Sequence, residues 1–194
     1  MTIEHHPLQP FLPPDATTLF LGSFPPPRER WSMDFFYPNF NNDFWRIQGL
    51  IHFGDAKCFE TTVRGRKVFD RERIIAFCEQ HGLAFFDTAI NVRRLKDNAS
   101  DAFLEILVPT DVGALLAQMP LCRRIVTTGG KASEELASIL AAAGTRSDIP
   151  PVGGHLDLTA WGRTLQWWRM PSTSRAYPLP LARKAACYRQ LFEP

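Results

Sequence analysis

The stretch that most constrains the fold spans residues 18–27. Its first part, residues 19–21, is a short apolar run that predicts a buried strand, and the run ends at Gly22. Three prolines follow at positions 25–27. Proline has no amide hydrogen to donate and a fixed φ, so neither a strand nor a helix can continue through them. The chain must leave the sheet there as a loop. Ligands bind at the carboxyl ends of the strands in open α/β sheets, so this loop is the first candidate for a functional site.

Aromatic and amide side chains are interleaved in the next segment, residues 35–43. Flat rings can stack on a heterocycle, while an amide offers both a donor and an acceptor to the edge of that heterocycle. An Asn or Asp directly before an apolar helical pattern, such as that of residues 44–51, is also typical of a helix N-cap. The cap interpretation is favoured for Asn41 and Asp43. Both interpretations stay open for Asn42.

Four apolar segments predict strands, and helical patterns separate them. The strands are expected at residues 19–21, 83–86, 123–128 and 164–170. This alternation predicts an α/β fold with three layers, α/β/α, around a central, mostly parallel four-stranded sheet. Residues 53–69 and 153–155 are expected to be loops or small excursions, and residues 1–14 an N-terminal arm.

Two further candidate sites, one after the second strand and one after the third, follow from this topology. Asp87 and Asn91 come after the second predicted strand, at the edge where Gly22 lies if the strands are parallel. Hydrogen bonds to the neighbouring backbone, which Asp and Asn form readily, are the favoured explanation for both residues. Residues 129–131 (Gly-Gly-Lys) open a predicted helix, where free amides and the helix dipole can bind a phosphate. The spacing does not match a Walker loop.

Composition sets the limits. The chain has 194 residues, 45% of them hydrophobic and 22% charged, which predicts one globular domain over residues 1–194. Its formal charge of +2 permits a nucleic-acid partner without requiring one. A basic cluster of Arg175, Arg183 and Lys184 is expected to be solvated and could follow a phosphate backbone.

The cysteine pattern and hydropathy exclude other classes. The four cysteines lie far apart with no Cys-x-x-Cys pair, so we expect free buried thiols, no metal site and no cofactor. No run approaches the roughly 20 apolar residues of a membrane helix, and the polar, proline-rich N-terminus does not look like a signal peptide. The expected compartment is the cytoplasm.

Motifs in a fixed order resemble a known family. They are residues 22–25 (Gly-Ser-Phe-Pro), 36–37 (Phe-Tyr), 42–45 (Asn-Asp-Phe-Trp), 125–132 and 170–175 (Met-Pro-Ser-Thr-Ser-Arg). Together they resemble the uracil-DNA glycosylase superfamily, closest to its hypoxanthine-DNA glycosylase and mismatch-specific branches. The resemblance covers residues 17–192.

The resemblance implies a monomeric DNA glycosylase of base excision repair. It would flip a deaminated base, uracil or hypoxanthine, out of DNA and hydrolyse the N-glycosidic bond without forming a Schiff base. Asn42 would position the water, with Asp43 as the rival catalytic residue. The implied base-binding residues are Gly22, Ser23, Phe24, Phe36, Tyr37, Asp87 and Asn91, and the implied DNA-binding residues are Lys131, Ser172, Thr173, Ser174 and Arg175.

Two positions depart from the family pattern. Phe24 stands where many relatives have a catalytic Asn or Asp, and Met170 stands where one branch has a histidine. Proton donation to the leaving base is therefore left open among Ser172, Ser174, backbone amides and His155. Two alternative functions also stay open: a catalytically inactive nucleic-acid-binding member of the same fold, and a nucleotide-binding enzyme that uses the turn at residues 127–133.

Overall fold

The computed structural model describes residues 3–95 and 103–193. Ten strands lie in these ranges: β1 Ile3–His5, β2 Thr18–Gly22, β3 Glu60–Val63, β4 Arg66–Phe69, β5 Leu83–Asp87, β6 Ala89–Arg94, β7 Leu104–Pro109, β8 Arg124–Thr128, β9 Gly154–Ala160 and β10 Arg163–Met170. The α-helices of the same ranges are α1 Phe44–Phe53, α2 Arg71–Gln80, α3 Val112–Ala117, α4 Gly130–Ala142 and α5 Leu181–Arg189.

The central sheet of the described chain has five strands in the order β5-β2-β8-β10-β9. The first four are parallel, which confirms the mostly parallel α/β sheet, and β9 pairs antiparallel with β10 at the edge. The expected strand number of four is wrong, as is the loop at residues 153–155. Burial alternates along β9 in its second half, as in a strand with one solvated face. Trp161 and Gly162, both with positive φ, form the two-residue turn that joins β9 to β10.

Aromatic side chains fill the core beside the central strands. β2 and β5 are buried along their whole length, as expected of strands covered on both faces. The rings of Phe20 and Phe85 stack at 5.3 Å between centroids, and Phe44 of α1 meets Phe20 edge to face at 5.4 Å. Trp45 and the Tyr188 ring of α5 are fully buried in the same core. These contacts fix the start of α1 next to the central strands.

A second, antiparallel sheet has the order β1-β6-β7. The predicted N-terminal arm joins it through β1, which pairs with β6, and the His6 amide donates to the Ile90 carbonyl at 2.7 Å. Further along the arm, Phe11 bridges Phe85 of β5. The arm is therefore hydrogen-bonded to both sheets. The excursion at residues 53–69 contains the β3–β4 hairpin.

None of the helices in the described ranges is long and apolar enough to cross a membrane. Within the same ranges, no group of three or more His, Cys, Asp or Glu side chains is placed to hold a metal ion. The described cysteines Cys58, Cys78, Cys122 and Cys187 are free thiols.

Candidate active site

A cavity of about 210 Å³ lies at the carboxyl edge of the central sheet. Residues at or just after the ends of β2, β5, β8 and β10 line it, because parallel strands end at a common edge. It has several times the roughly 30 Å³ share of one liquid water, so it can hold a small organic molecule. The predicted site residues that line it are Gly22, Ser23, Phe24, Phe36, Tyr37, Asn42, Asp87, Ser172, Thr173 and Ser174.

Four predicted site residues lie outside the lining. Asn91 is on β6, where its side-chain oxygen lies 2.8 Å from His5 Nδ1. Lys131 is in the first turn of α4 and pairs with Glu135 at 2.9 Å. Asp43 and Arg175 pair with each other, Arg175 Nε lying 3.2 Å from Asp43 Oδ1.

Tyr37 forms a rigid wall of the cavity. Its ring stacks on Phe44 at 3.9 Å with an angle of 5° between the planes, and its hydroxyl lies 2.7 Å from Thr128 Oγ1. Burial raises the pKa of the Tyr37 hydroxyl well above its usual range, so the group stays protonated. The backbone is strained at φ 51°, a left-handed value that costs on the order of 1–3 kcal/mol for a non-glycine residue. The stacking and the hydroxyl contact hold the ring in this conformation.

Asn42 both caps the helix and faces the cavity. The Phe44 amide donates to Asn42 Oδ1 at 2.8 Å, which satisfies one free amide at the start of α1. This bond fixes the amide group with its oxygen toward the helix. The oxygen keeps a second lone pair, and the Asn42 amide nitrogen has no partner among the described residues. The two interpretations from the sequence are therefore compatible in one side chain.

Asp43 connects the start of α1 to the loop after β10 and to α5. Its carboxylate binds Lys184 Nζ of α5 at 2.9 Å in addition to Arg175, and its amide donates to the Thr173 carbonyl at 2.9 Å. Asp43 is the N-cap residue of α1 by position, but its side chain makes no capping bond. The cap interpretation from the sequence is thus replaced by an ion-pair role. Lys184 is only 1% exposed, so the expectation that it is solvated is wrong.

The loop after β10 is held in place by hydrogen bonds from α5. Tyr188 donates its hydroxyl hydrogen to the Pro171 carbonyl at 2.9 Å, and Lys184 Nζ donates to the Ser174 carbonyl at 2.8 Å. The positive-φ turn residue Gly129 packs against Ser172, where an added Cβ would meet the Ser172 Cβ at 3.5 Å. Residues 172–174 therefore present their side chains from a rigid support.

Asp87 ends β5 and is held by the N-terminal arm. His6 Nε2 lies 2.9 Å from Asp87 Oδ2, and the two side chains are 2% and 11% exposed. The role of His6 was not apparent from the sequence, because a histidine in a polar, proline-rich arm carries no local signal. Thr128 and Asn39 also line the cavity, although neither was among the individually predicted site residues. Thr128 ends β8. The argument that parallel strands end at a common edge, which places Asp87 at the site, therefore applies to Thr128 as well.

The turn at residues 127–133 uses its polar groups internally. Thr127 Oγ1 lies 2.8 Å from Ser133 Oγ and accepts from Trp167 Nε1 at 3.0 Å, and both Thr127 and Ser133 are fully buried. His155 lies on the edge strand β9, stacked on Trp168 at 4.1 Å, and is not part of the cavity lining.

Comparison with known proteins supports the fold. No family model matches the chain, and no curated protein matches it significantly. Among solved structures, the chain is similar to the solution NMR structure of a Methanosarcina acetivorans protein that is provisionally described as a uracil DNA glycosylase. The TM-score is 0.60 and the identity 20%, and the match covers 99% of this chain and 100% of that chain. At this identity the similarity shows a shared mixed α/β fold with a central, mostly parallel sheet.

Proposed function

We propose that this protein is a monofunctional DNA glycosylase that binds a flipped, deaminated base, uracil or hypoxanthine, in the cavity and hydrolyses its N-glycosidic bond. The observation that carries the proposal is the set of residues that line the cavity. It combines aromatic rings, amide side chains and the loop at residues 172–174 at one edge of the sheet. The full-length similarity to a protein described as a uracil DNA glycosylase, and the motif order in the sequence, support the same activity.

The walls suit a planar heterocycle. Phe24 and Tyr37 are lining residues with aromatic faces, and Tyr37 is held in place by Phe44. A base taken out of the duplex loses its stacking partners, and a protein ring can replace part of that energy, about 1–3 kcal/mol per base. The fixed ring therefore lowers the free energy of the flipped state.

Asn42 is the water-positioning residue of the proposal. Bond cleavage develops positive charge on the sugar and negative charge on the departing base, so the enzyme needs a water beside the sugar carbon. The second lone pair of Asn42 Oδ1 can accept a hydrogen bond from that water, and the bond from Phe44 keeps the amide from rotating. Asp43 is a weaker candidate because Lys184 and Arg175 engage its carboxylate outside the cavity.

The leaving base needs donors on the opposite side. The loop hydroxyls of Ser172 and Ser174 line the cavity, whereas His155 does not. Ser172 Oγ accepts from the Ser174 amide at 3.3 Å, so its own hydrogen is free to donate. These hydroxyls are therefore the proposed donors to the base.

DNA would lie across the mouth of the cavity. Arg175 follows the loop, and its side chain is 50% exposed although it contacts Asp43. Its guanidinium has more donors than the contacts to Asp43 and Asn41 use, so it can also bind a phosphate. We propose that Arg175 lies next to the gap left by the flipped base.

Base release from oligonucleotides tests the proposal. Single-stranded and duplex oligonucleotides with uracil, hypoxanthine or xanthine are incubated with excess protein, and the free base is quantified. Strand cleavage should appear only after alkali, as for a monofunctional enzyme. Binding without release of any base would favour the inactive nucleic-acid-binding alternative. A protein that neither binds these oligonucleotides nor releases a base from them would contradict the proposal. The nucleotide-binding alternative has less support, because Thr127 and Ser133 are buried and bonded to each other.

A further inference from the structure

Asp87 is the one carboxylate among the described residues that line the cavity. It lies at the end of β5, next to Gly22 at the end of β2, and the backbones of the two residues are paired in the sheet. A carboxylate in a mostly enclosed site is costly unless it is bonded. Asp87 therefore needs a hydrogen-bond partner in the fold.

The N-terminal arm supplies the partner. His6 binds Asp87 Oδ2 through Nε2 at 2.9 Å, and the other ring nitrogen, Nδ1, lies 3.2 Å from the Leu8 amide and 2.9 Å from the Leu8 carbonyl. The imidazole is enclosed by Phe86 at 4.5 Å and Phe24 at 5.4 Å between ring centroids. The ring cannot turn without losing these contacts, so the position of Nε2 next to Asp87 Oδ2 is fixed.

The second carboxylate oxygen is left for a ligand. Oδ1 of Asp87 accepts no hydrogen bond from the described residues, and it lies so close to Gly22 that a Cβ there would be 2.4 Å away. His6 thus holds one oxygen, and the absence of a side chain at Gly22 leaves room for the other. The geometry resembles a base whose orientation is set by a second residue.

The sign of the charge decides what Oδ1 can do. A carboxylate next to the departing base would oppose the negative charge that develops there, whereas next to the sugar or the water it stabilises the developing positive charge. Resting on the proposed function, we propose that Asp87 is the catalytic carboxylate at the water and that His6 is its positioning residue. This role differs from the base contact that the family resemblance implies for Asp87.

The proposed step balances. The water oxygen bonds to the sugar carbon as the carbon–nitrogen bond breaks, and the bonding electron pair leaves with the base. One water proton passes to Asp87 Oδ1, and the base takes up a proton from solvent, either directly or through a loop hydroxyl that solvent reprotonates. Asp87 then returns its proton to solvent, so the products are the free base and an abasic sugar. Asn42 holds the water, and His6 keeps Asp87 Oδ1 directed at it.

A double-mutant cycle tests the pair. Single-turnover base release and duplex affinity are measured for the wild type, Asp87→Asn, His6→Ala, His6→Gln and the double variant Asp87→Asn/His6→Ala. Asp87→Asn keeps the shape of the side chain and removes the base. His6→Gln keeps a donor. The control is His5→Ala, in the same arm, whose ring contacts Asn91 rather than Asp87. Melting temperatures show whether each variant is folded.

The proposal predicts a specific pattern. Asp87→Asn lowers the rate about a hundredfold or more, within the usual range for general base catalysis, and leaves duplex affinity unchanged. His6→Ala lowers the rate about tenfold in the wild type and not at all in the Asp87→Asn background, because the two residues act as one unit. His6→Gln recovers part of the loss, and His5→Ala behaves as the wild type.

Three results would overturn it. One is a wild-type rate for Asp87→Asn, and another is a changed choice of base at an unchanged rate, which would make Asp87 a base-recognition residue. The third is an equal effect of His6→Ala in both backgrounds, which would make His6 merely structural. A wild-type protein that releases no base from any of the oligonucleotides overturns the proposed function itself, and this inference with it.

Discussion

Replacing Asp43 by alanine should destabilise the fold far more than a surface change. The variant leaves Lys184 Nζ, on a side chain that is 1% exposed, with only the Ser174 carbonyl as a partner. Removing one member of a buried ion pair typically costs about 3–5 kcal/mol. The pair with half-exposed Arg175 adds little, about 0–1 kcal/mol.

The expected shift in melting temperature follows from that cost. For a chain of 150–250 residues, 1 kcal/mol corresponds to about 2–4 °C, so Asp43→Ala should melt roughly 6–20 °C below the wild type. Urea titration gives the free energy of unfolding, and a thermal scan gives the midpoint. The matched control is Asp70→Ala, which removes an exposed cap to the Arg73 amide and should cost about 1 kcal/mol.

A second variant identifies the cause. Asp43→Ala/Lys184→Met removes both charges, and replacing a buried pair by apolar side chains is often close to neutral. The double variant should therefore be more stable than Asp43→Ala alone. If Asp43→Ala loses no more than Asp70→Ala, or if the double variant is the less stable of the two, the ion-pair role of Asp43 is refuted.

Three further predictions concern DNA binding, the site and pH. Arg175→Ala should weaken duplex binding and lower the slope of log K against log salt by about 0.9, the value for one phosphate contact. Arg146 is exposed, and Arg146→Ala should leave the slope unchanged. Gly22→Ala should lower single-turnover release about a hundredfold with little loss of DNA affinity. The new Cβ would lie 2.4 Å from Asp87 Oδ1, so the carboxylate must move. Burial lowers the pKa of His52 from 6.5 to about 4, so the unfolded chain binds more protons between these values and stability falls as pH drops through them. His52→Gln should show a smaller loss of melting temperature over that range.

The sequence patterns predict the central strands because their signals are local. Residues 19–21 and 83–86 are apolar runs that end at a glycine or an acidic residue, and both are buried strands in the structure. Because parallel strands end at a common edge of the sheet, these two strands also predict that Gly22 and Asp87 lie in one site. The sequence does not predict β9, because one face of the strand is solvated and no continuous apolar run marks it. The strand is formed by its antiparallel pairing with β10.

The remaining features depend on contacts between distant parts of the chain. Asp43 is 141 residues from Lys184 and His6 is 81 residues from Asp87, so no spacing rule connects either pair. From the sequence alone, an N-cap and an ion pair explain an Asp before α1 equally well. Only the position of α5, which brings Lys184 to the Asp43 carboxylate, decides between them. Asn42 differs, since its bond to the Phe44 amide is local, and only its place in the cavity lining depends on distant parts of the chain.

The role of Asn42 as the water-positioning residue is tested most directly by the single-turnover rate of base release by Asn42→Ala on the oligonucleotide that the wild type processes fastest. We expect a loss of about a hundredfold or more with near-normal duplex affinity, as for a group that acts only in the transition state. Losing the cap to Phe44 should cost only about 1 kcal/mol of stability, and Asp111→Ala, which removes the cap of α3, reproduces that loss without touching the cavity. A folded Asn42→Ala that is as destabilised as Asp111→Ala but releases base at the wild-type rate would show that Asn42 is only a cap and does not position the water.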